Sequence, residues 1–287
     1  MSTKDSIHEP VLLEEVIKYL DIKKNGVYID ATMNGGGHAQ EILKRVGSKG
    51  TVLGIDRDEK LVNRIKKQHI KGLIAEEGNY IHMAQLAEKN HLQNIQGVLF
   101  DFGLSSWHLE QSHRGFSFMR DEVLDMRFSE SDAITAAHIV NSYSEAELAK
   151  IFKLYGEMRY AHMLARAIVQ ERKSERILTT GRLVDIAKKY IRGGKTHPAT
   201  QLFQALRIAV NQELDAVRLG IIAAMRLVAP GGRVAAISFH SLEDRIVKNT
   251  FREFGQIITK KPILGTREEI IRNPRSRSAK LRAWENL

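Results

Sequence analysis

Short apolar runs alternate with helical patterns along the N-terminal third of the chain, and few folds accommodate that order. Four strand-like runs read GVYIDAT, TVLGID, GLIAEEG and QGVLFDFG. Between them apolar residues recur at helical spacing, as in Ala39, Ile42 and Val46, which precede Gly47. Strands that alternate with helices are typical of a parallel sheet built from right-handed crossovers. The sequence therefore predicts an open α/β fold.

The alternation stops near residue 112. From there to residue 196 the pattern is helical and basic, with no convincing strand, and strand character returns only at RVAAISF, after the turn APGGR. We therefore expect a discontinuous α/β domain of residues 1–111 and 197–287. It is interrupted by an all-helical insertion of residues 112–196.

Composition indicates the class of protein. With 287 residues and 43% hydrophobic content the chain can bury a full core. No apolar run approaches the roughly 18 residues of a membrane span, and the first residues lack a signal-peptide core, so we expect a cytoplasmic protein without membrane contact. The absence of cysteine excludes disulfides, thiolate metal sites and cysteine nucleophiles, and no other metal site is predicted.

Positive charge is concentrated in two segments. Residues 150–196 hold 12 basic and 4 acidic side chains, and residues 252–287 hold 9 and 4, within a net charge of +10. Solvated helix faces would explain either segment alone. Two basic segments around a slightly acidic remainder favour a nucleic-acid surface. If both bind RNA, deletion of residues 272–287 should reduce the salt dependence of RNA affinity.

The stretch DATMNGGGH, residues 30–38, follows the first predicted strand. Glycines at this place let the backbone turn sharply and approach a ligand, and the next helix offers free N–H groups. A tight turn without a ligand is the alternative. Asp56, at the end of the second strand, favours a nucleotide-type cofactor because a carboxylate there can bind ribose hydroxyls.

Charge distinguishes between cofactors. Asp30, Asp56 and Asp101 fall at the carboxyl ends of three predicted strands, which converge on the ligand crevice of an open α/β sheet. A pyrophosphate would be repelled there. S-adenosylmethionine fits better, since it has ribose hydroxyls, a sulfonium and an ammonium but no phosphate. Each aspartate alone could instead be a helix cap or a turn residue.

Seven motifs together resemble those of one known family. They are HEPVLLEEV, DATMNGGGH, DFGLSS, RGFSFMRDEVLDMRF, HPATQLFQALRIAVNQEL, SFHSLEDRIVK and NPRSRSAKLRA, and they run from His8 to Ala283. In this order they resemble the RsmH (MraW) family of bacterial small-subunit rRNA methyltransferases. The resemblance implies a class I (Rossmann-like) methyltransferase sheet with a helical substrate-recognition insertion. It also implies S-adenosylmethionine as cofactor and methylation of a cytosine N4 in the decoding region of 16S rRNA.

The family's cofactor contacts can be transferred where the motifs align. In NGGGH they would be Gly36, Gly37 and His38, near the methionine part of the cofactor. The other matching positions are Asp56 for the ribose, Tyr80 beside the adenine, Asp101 facing the methionine moiety, and His108, where many members have glutamine.

Four positions depart from the family pattern. Asn34 replaces a common glycine, and asparagine tolerates a positive φ, so the turn should survive. His108 replaces glutamine, Val123 a proline and Met158 a glutamate. The last two lie in the insertion and bear on substrate contacts more than on the cofactor.

Asp101 is the predicted catalytic residue. Methylation of a pyrimidine at C5 usually needs a cysteine, whereas transfer to N4 needs only an acceptor for the amine proton. Asp101 lies where it could be that acceptor, although DFGL lacks the two prolines that follow the corresponding residue in other amino-methyltransferases.

Arg114, His240 and Arg245 are predicted to contact the substrate. In the motif around Arg114, charges interleave with phenylalanines, as in base-stacking surfaces, and core packing is the alternative. In SFHSLEDR, Ser241 and Asp244 are predicted to cap the following helix. The helix after Pro198 should bury its apolar face, leaving the polar side chains of Gln204, Arg207 and Asn211 as crevice lining or solvent-facing.

The expected partner is 16S rRNA or the small ribosomal subunit, and both a monomer and a homodimer are compatible with the sequence. Two rival interpretations are a non-catalytic rRNA-binding assembly factor and a small-molecule methyltransferase. Transfer of a labelled methyl group would exclude the first. RNA affinity without salt dependence would support the second.

Overall fold

The computed structural model describes residues 10–191, 197 and 199–287, which form two compact units. The first unit comprises the described residues up to Ser105 together with Leu214–Leu287, and the second comprises Ser106–Glu213. No helix in the described residues is both long enough and apolar enough to cross a membrane.

In the described part of the chain, the first unit is built on one seven-stranded sheet of order β3-β2-β1-β4-β5-β7-β6. The strands are β1 Val27–Asp30, β2 Thr51–Asp56, β3 Leu73–Glu77, β4 Ile95–Asp101, β5 Arg233–Ser238, β6 Ile263–Leu264 and β7 Lys280–Glu285. The strands from β1 to β5 pair in parallel, and β7 pairs antiparallel with β5 and β6. The predicted class I (Rossmann-like) α/β sheet is confirmed.

Helices connect these strands and cover the sheet. In the first unit they are α1 Leu13–Leu20, α2 Gly37–Val46, α3 Glu59–Lys66, α4 Met83–Lys89, α11 Glu213–Leu227, α12 Ser241–Glu253 and α13 Arg267–Arg272, with 3₁₀ turns Tyr80–His82 and Pro274–Ser278. Asp58 caps α3, because its carboxylate accepts a hydrogen bond from the N–H of Lys60 at 3.0 Å.

The core lies on both faces of the sheet. Tyr28 and Leu99 pack on one face with residues of α1 and α2, whereas Ile29 and Phe100 pack on the other with residues of α4, α11 and α12. Successive residues of a strand point to opposite faces, and here both faces are covered. This explains why the strands read as continuous apolar runs.

The C-terminal strands β6 and β7 were not predicted. Leu281, Ala283 and Trp284 of β7 are buried in the core, and the guanidinium of Arg282 donates to both carboxylate oxygens of Asp244 on α12, at 2.6 and 3.2 Å. The basic segment 252–287 is therefore partly a structural strand. Deletion of residues 272–287 would remove β7 from the sheet and would not test RNA binding alone.

The second unit is helical. Its helices are α5 Ser106–Glu110, α6 Ala136–Ser142, α7 Glu145–Gly156, α8 Ala161–Ser174, α9 Thr180–Tyr190 and α10 Ala199–Asn211. It starts earlier and ends later than the predicted insertion of 112–196, because α5 and α10 pack with it. Pro198 lies outside the described residues.

The polar face of α10 is internal to the helical unit. Gln204 donates to the carbonyl of Tyr155, Arg207 forms an ion pair with Glu213 at 2.8 Å, and the amide of Asn211 donates to the carbonyl of Met126. The sequence was compatible with a position of these side chains in solvent or in a crevice. They instead join α10 to neighbouring segments of its own unit.

Candidate active site

The loop after β1 is held across the ends of three neighbouring strands. The N–H of Ala31 donates to Leu99 of β4 and the N–H of Met33 donates to Ile55 of β2, each at 2.8 Å. Strand β1 lies between β2 and β4, where the sheet order reverses direction. Ligands of open α/β sheets bind at this switch point.

The glycine turn has the backbone geometry that its sequence requires. Asn34 has φ of 50° and Gly36 of 76°, so the predicted tolerance of Asn34 for a positive φ is confirmed. A Cβ added to Gly35 would meet no described atom within 4 Å, so this backbone faces open space. Gly36 precedes α2 without a side-chain hydrogen bond capping the helix, and Gly37 is its first residue.

Asp56 ends β2 and anchors the loop. One of its carboxylate oxygens accepts from the N–H of Asn34 at 2.8 Å, and the other accepts from the N–H of Asp58 at 2.9 Å. The side chain is almost buried. These contacts fix its orientation at the carboxyl edge of the sheet, where its oxygens act as hydrogen-bond acceptors.

Asp101 ends β4 and faces His38 of α2. Oδ2 of Asp101 lies 3.5 Å from Nδ1 of His38, and Oδ1 accepts from the N–H of Gly103 at 3.0 Å. The N–H of Asp101 donates to the hydroxyl of Thr32 at 2.5 Å. Burial raises the pKa of Asp101 above its ordinary value, and His38 and the N–H of Gly103 oppose that increase.

Asp30 ends β1 and is completely buried. Burial raises its pKa to about 6; His38 opposes the increase, and the carboxylates of Asp101 and Asp56 add to it. Oδ1 accepts from the N–H of Thr32 at 3.3 Å, whereas no hydrogen bond from the described residues reaches Oδ2. The bond from Thr32 is the turn contact that the sequence allowed for Asp30, and a ligand-binding role of Asp30 stays a prediction.

Tyr80 lies in the 3₁₀ turn after β3, within an aromatic cluster. Its ring centroid is 5.4 Å from that of Phe100, edge to face, and 6.2 Å from that of Phe102. A Cβ on Gly220 of α11 would approach the Tyr80 ring to 2.5 Å. Gly220 thus permits the close packing that fixes this ring.

The start of α12 differs from its prediction. His240 is the N-cap: its Nδ1 accepts from the N–H of Glu243, whose carboxylate in turn accepts from the N–H of His240. The predicted capping pair Ser241 and Asp244 is wrong by one position, because Asp244 turns to Arg282 of β7. Arg245 is exposed on α12. The substrate roles of His240 and Arg245 stay predictions.

His108 and Arg114 belong to the helical unit. His108 is buried beside Phe116 and Phe128, with ring centroids at 5.0 and 5.2 Å. Arg114 is also buried and donates to the carbonyl of Phe128 at 3.0 Å. These contacts favour the packing alternative for Phe116, and the roles of His108 and Arg114 in ligand binding stay predictions.

Two contributions to the site were not found by sequence reasoning. The hydroxyl of Thr32 holds the backbone of β4, and the carbonyl of Val11 contacts His38 at 2.9 Å. Thr32 follows Asp30 in the glycine motif, which is a weak signal. Val11 gave no signal, because its backbone rather than its side chain takes part.

These residues suit S-adenosylmethionine. The edge where a ligand would bind carries the carboxylates of Asp56 and Asp101 and the open backbone at Gly35. The N-terminus of α2, which no side chain caps, would attract the carboxylate group of a bound ligand. The cofactor's sulfonium and ammonium match the negative side chains, and its ribose hydroxyls match Asp56 as acceptor. A pyrophosphate would place negative charge beside Asp30, Asp56 and Asp101.

Comparison with known proteins identifies the family of the chain. The model of the MraW methylase family matches residues 5–287. The chain is 42% identical to the ribosomal RNA small subunit methyltransferase H of Halothermothrix orenii, over 98% of both chains. It is also 42% identical to the protein of that name from Dictyoglomus thermophilum, over 99% of this chain and 98% of the relative.

Among solved structures, a putative rRNA-methylase from Clostridium thermocellum aligns over 97% of this chain and 98% of its own, with 12% identity and a TM-score of 0.46. The match of the family model, the identity to its relatives and the seven-stranded sheet confirm the resemblance: the chain belongs to the MraW methylase family and is a class I methyltransferase that uses S-adenosylmethionine.

Proposed function

We propose that the protein methylates the exocyclic N4 of a cytosine in the decoding region of 16S rRNA. The relatives of this chain are small-subunit rRNA methyltransferases by name, and the motifs resemble the family with this activity. Acting on ribosomal RNA would place the protein in the cytoplasm.

The observation that carries the proposal is the placement of Asp101. Its carboxylate lies at the carboxyl end of β4, held by the N–H of Gly103 and beside His38, with 13% of its side chain exposed. Transfer to a ring carbon of a pyrimidine would need a covalent nucleophile such as cysteine, and the chain has none. A carboxylate at this place suits transfer to an amine instead.

The proposed chemistry follows from the amine. The lone pair of a cytosine N4 is delocalised into the ring, so an acceptor for its N–H must localise it for in-line attack. S-adenosylmethionine supplies an electrophilic methyl group when bound. Asp101 would accept the hydrogen bond from N4, and then the proton that the amine loses as the new N–C bond forms and the sulfur–methyl bond of the sulfonium breaks to leave a thioether.

The remaining site residues would position the reactants. Asp56 accepts the ribose hydroxyls of the cofactor, Tyr80 packs beside its adenine, and the backbone of Gly36 and Gly37 faces its methionine part. His108 would also contact the cofactor, at the position where many members of the family have glutamine.

The helical unit would bind the RNA. It carries most of the basic segment 150–196, and several of its side chains, among them Lys150, Lys153 and Arg166, are exposed. Arg159 lies over the ring of Tyr160 at 5.5 Å from its centroid, an exposed pair of the kind on which a base can stack. We propose it as the substrate-recognition domain.

The test is to map methylated cytosines in small-subunit rRNA from cells that lack the gene. We expect one N4 methyl group in the decoding region to disappear and to return with the wild-type gene but not with Asp101→Ala. An unchanged methylation pattern would reject the proposal. Transfer of a labelled methyl group to purified small subunits and to naked rRNA would identify the form of the substrate.

A further inference from the structure

The backbone carbonyl of Val11 determines where His38 carries a proton. Nε2 of His38 lies 2.9 Å from that carbonyl oxygen, and both groups are buried. A carbonyl oxygen can only accept, so Nε2 must be the donor and must carry hydrogen. The tautomer with its proton on Nδ1 alone would set a nitrogen lone pair against the carbonyl.

The second ring nitrogen then faces a carboxylate. Nδ1 of His38 lies 3.5 Å from Oδ2 of Asp101, and the two side chains are 7% and 13% exposed. A neutral imidazole with its proton on Nε2 would present a lone pair to the negative oxygen. A further proton between Nδ1 and Oδ2 removes this repulsion and makes the contact attractive.

The charges around the pair favour placing that proton on the ring. Among the described residues, the ionisable groups with the largest interactions with Asp30 or Asp101 are Asp30 from β1, His38 from α2, Asp56 from β2, Asp101 from β4, Glu243 from α12 and Arg275 from the 3₁₀ turn Pro274–Ser278. Four of them are acidic. Asp30 is completely buried, and no hydrogen bond from the described residues reaches its Oδ2.

We propose that His38 is a positioning residue: as an imidazolium pinned by the carbonyl of Val11, it keeps Asp101 ionised and holds its carboxylate in one orientation. One carboxylate oxygen then faces the ring while the other accepts from Gly103. This role differs from the cofactor contact that the motif implies for His38. Its catalytic consequence rests on the proposed function, whereas the protonation state does not.

The direct test is nitrogen NMR of the full-length protein with labelled histidine at pH 7. Comparison with His38→Asn assigns the ring signals. In the wild-type protein we expect both ring nitrogens of His38 to be protonated. In Asp101→Asn we expect a neutral ring with hydrogen on Nε2, because the amide can donate to Nδ1. A neutral His38 ring in the wild-type protein would overturn the proposal.

Methyl transfer supplies a second readout. We expect His38→Asn to lower turnover at saturating cofactor at least 10-fold and to change cofactor affinity less than that. In the Asp101→Ala background the same substitution should have no further effect on turnover, since His38 acts through Asp101. Equal, additive losses in both backgrounds would indicate a general structural role and would contradict the proposal.

His91→Asn is the matched control. His91 is exposed and has φ of 54°, a conformation that asparagine adopts readily, so neither turnover nor the His38 signals should change.

If no methyl transfer to small-subunit rRNA is found, the proposed function fails. The NMR experiment still decides the protonation state of His38.

Discussion

At the scale of single residues, the buried carboxyl group of Asp30 should make stability depend on pH. Its pKa is about 6 in the folded protein, whereas an unfolded chain has a value of about 3.9. Between about pH 4 and pH 6 the carboxyl group is ionised in the unfolded chain and protonated in the folded protein. The stabilising contribution of the protonated group is therefore complete below about pH 4 and lost as pH rises through about 6.

We therefore expect Asp30→Asn to be more stable than the wild-type protein above pH 6, by about 2–3 kcal/mol, since one pKa unit corresponds to about 1.4 kcal/mol. The difference should shrink toward pH 4. Urea unfolding of the cofactor-free protein at pH 4 and 7 measures it. Asp185→Asn on the exposed face of α9 is the control, and an Asp30→Asn effect that does not vary with pH would contradict the argument.

The residue Asp56 should contribute directly to cofactor affinity. If its carboxylate accepts the ribose hydroxyls, Asp56→Ala should weaken S-adenosylmethionine binding by about 1.5–3 kcal/mol, the range for hydrogen bonds to a charged group. Calorimetry measures the change. Asp56→Ala would also remove the bond that anchors Asn34 and could lower stability. Asp58→Ala is the control for such a loss, because it removes the cap of α3 and should lower stability while leaving the affinity close to that of the wild-type protein.

Substitution of Asp101 separates chemistry from binding. If Asp101 only holds the cofactor, Asp101→Asn should weaken binding and leave saturated turnover nearly intact. If it accepts the N4 proton, turnover should drop by on the order of 10²–10⁴, and Asp101→Ala should be worse than Asp101→Asn because an amide oxygen still accepts a hydrogen bond. We expect losses in both constants, with the larger in turnover. A wild-type single-turnover rate for Asp101→Ala would remove it from the mechanism.

At the scale of elements, α11 carries a glycine in its interior because the Tyr80 ring occupies the place of a side chain. We expect Gly220→Ala to displace this ring and to weaken S-adenosylmethionine binding. In a Tyr80→Ala background the nearest remaining atom is Cε1 of Phe100 at 3.3 Å, so Gly220→Ala should destabilise the protein far less there, with helix propensity contributing about 0.5–1 kcal/mol in its favour. Thermal unfolding and calorimetry on the four proteins test this. An equal effect in both backgrounds would exclude Tyr80 as the cause.

The individual elements differed in how far the sequence predicted them. Strands β1 to β5 were predicted because both faces are covered by helices, which leaves continuous apolar runs in the sequence. Strand β7 was missed because its pattern includes Lys280 and Arg282, and Arg282 is buried only by pairing with Asp244 of α12. The sequence around one residue does not show which residue of a distant segment will pair with it.

At the scale of the whole molecule, the net charge of +10 should appear as salt-dependent RNA affinity. Each phosphate contact contributes about 0.9 to the slope of log affinity against log salt. We expect Lys150→Gln with Lys153→Gln, both exposed on α7, to reduce that slope by roughly 1–2. The matched control is Lys24→Gln with Lys71→Gln, exposed in the sheet-bearing unit. Equal slopes for the two double variants would show that α7 does not contact phosphates.

From the sequence alone we could predict the α/β class, the five strand segments of the parallel sheet, the family and the cofactor. These follow from local periodicity and from motifs whose residues are neighbours in the chain. Asp30, Asp56 and Asp101 could be placed at one edge because the carboxyl ends of parallel strands converge there. The positive φ of Asn34 was predictable because it depends only on local backbone sterics.

Only the tertiary structure decided the relations between distant segments. Val11 contacts His38, which faces Asp101; Gly220 admits Tyr80; Arg282 is held by Asp244. The folded structure also places α5 and α10 in the helical unit, where the polar side chains of α10 bond to neighbouring segments. The physical reason is common to all of them: burial, proton placement and pairing depend on which groups meet after folding, and residues far apart in the chain leave no periodic signal of that meeting.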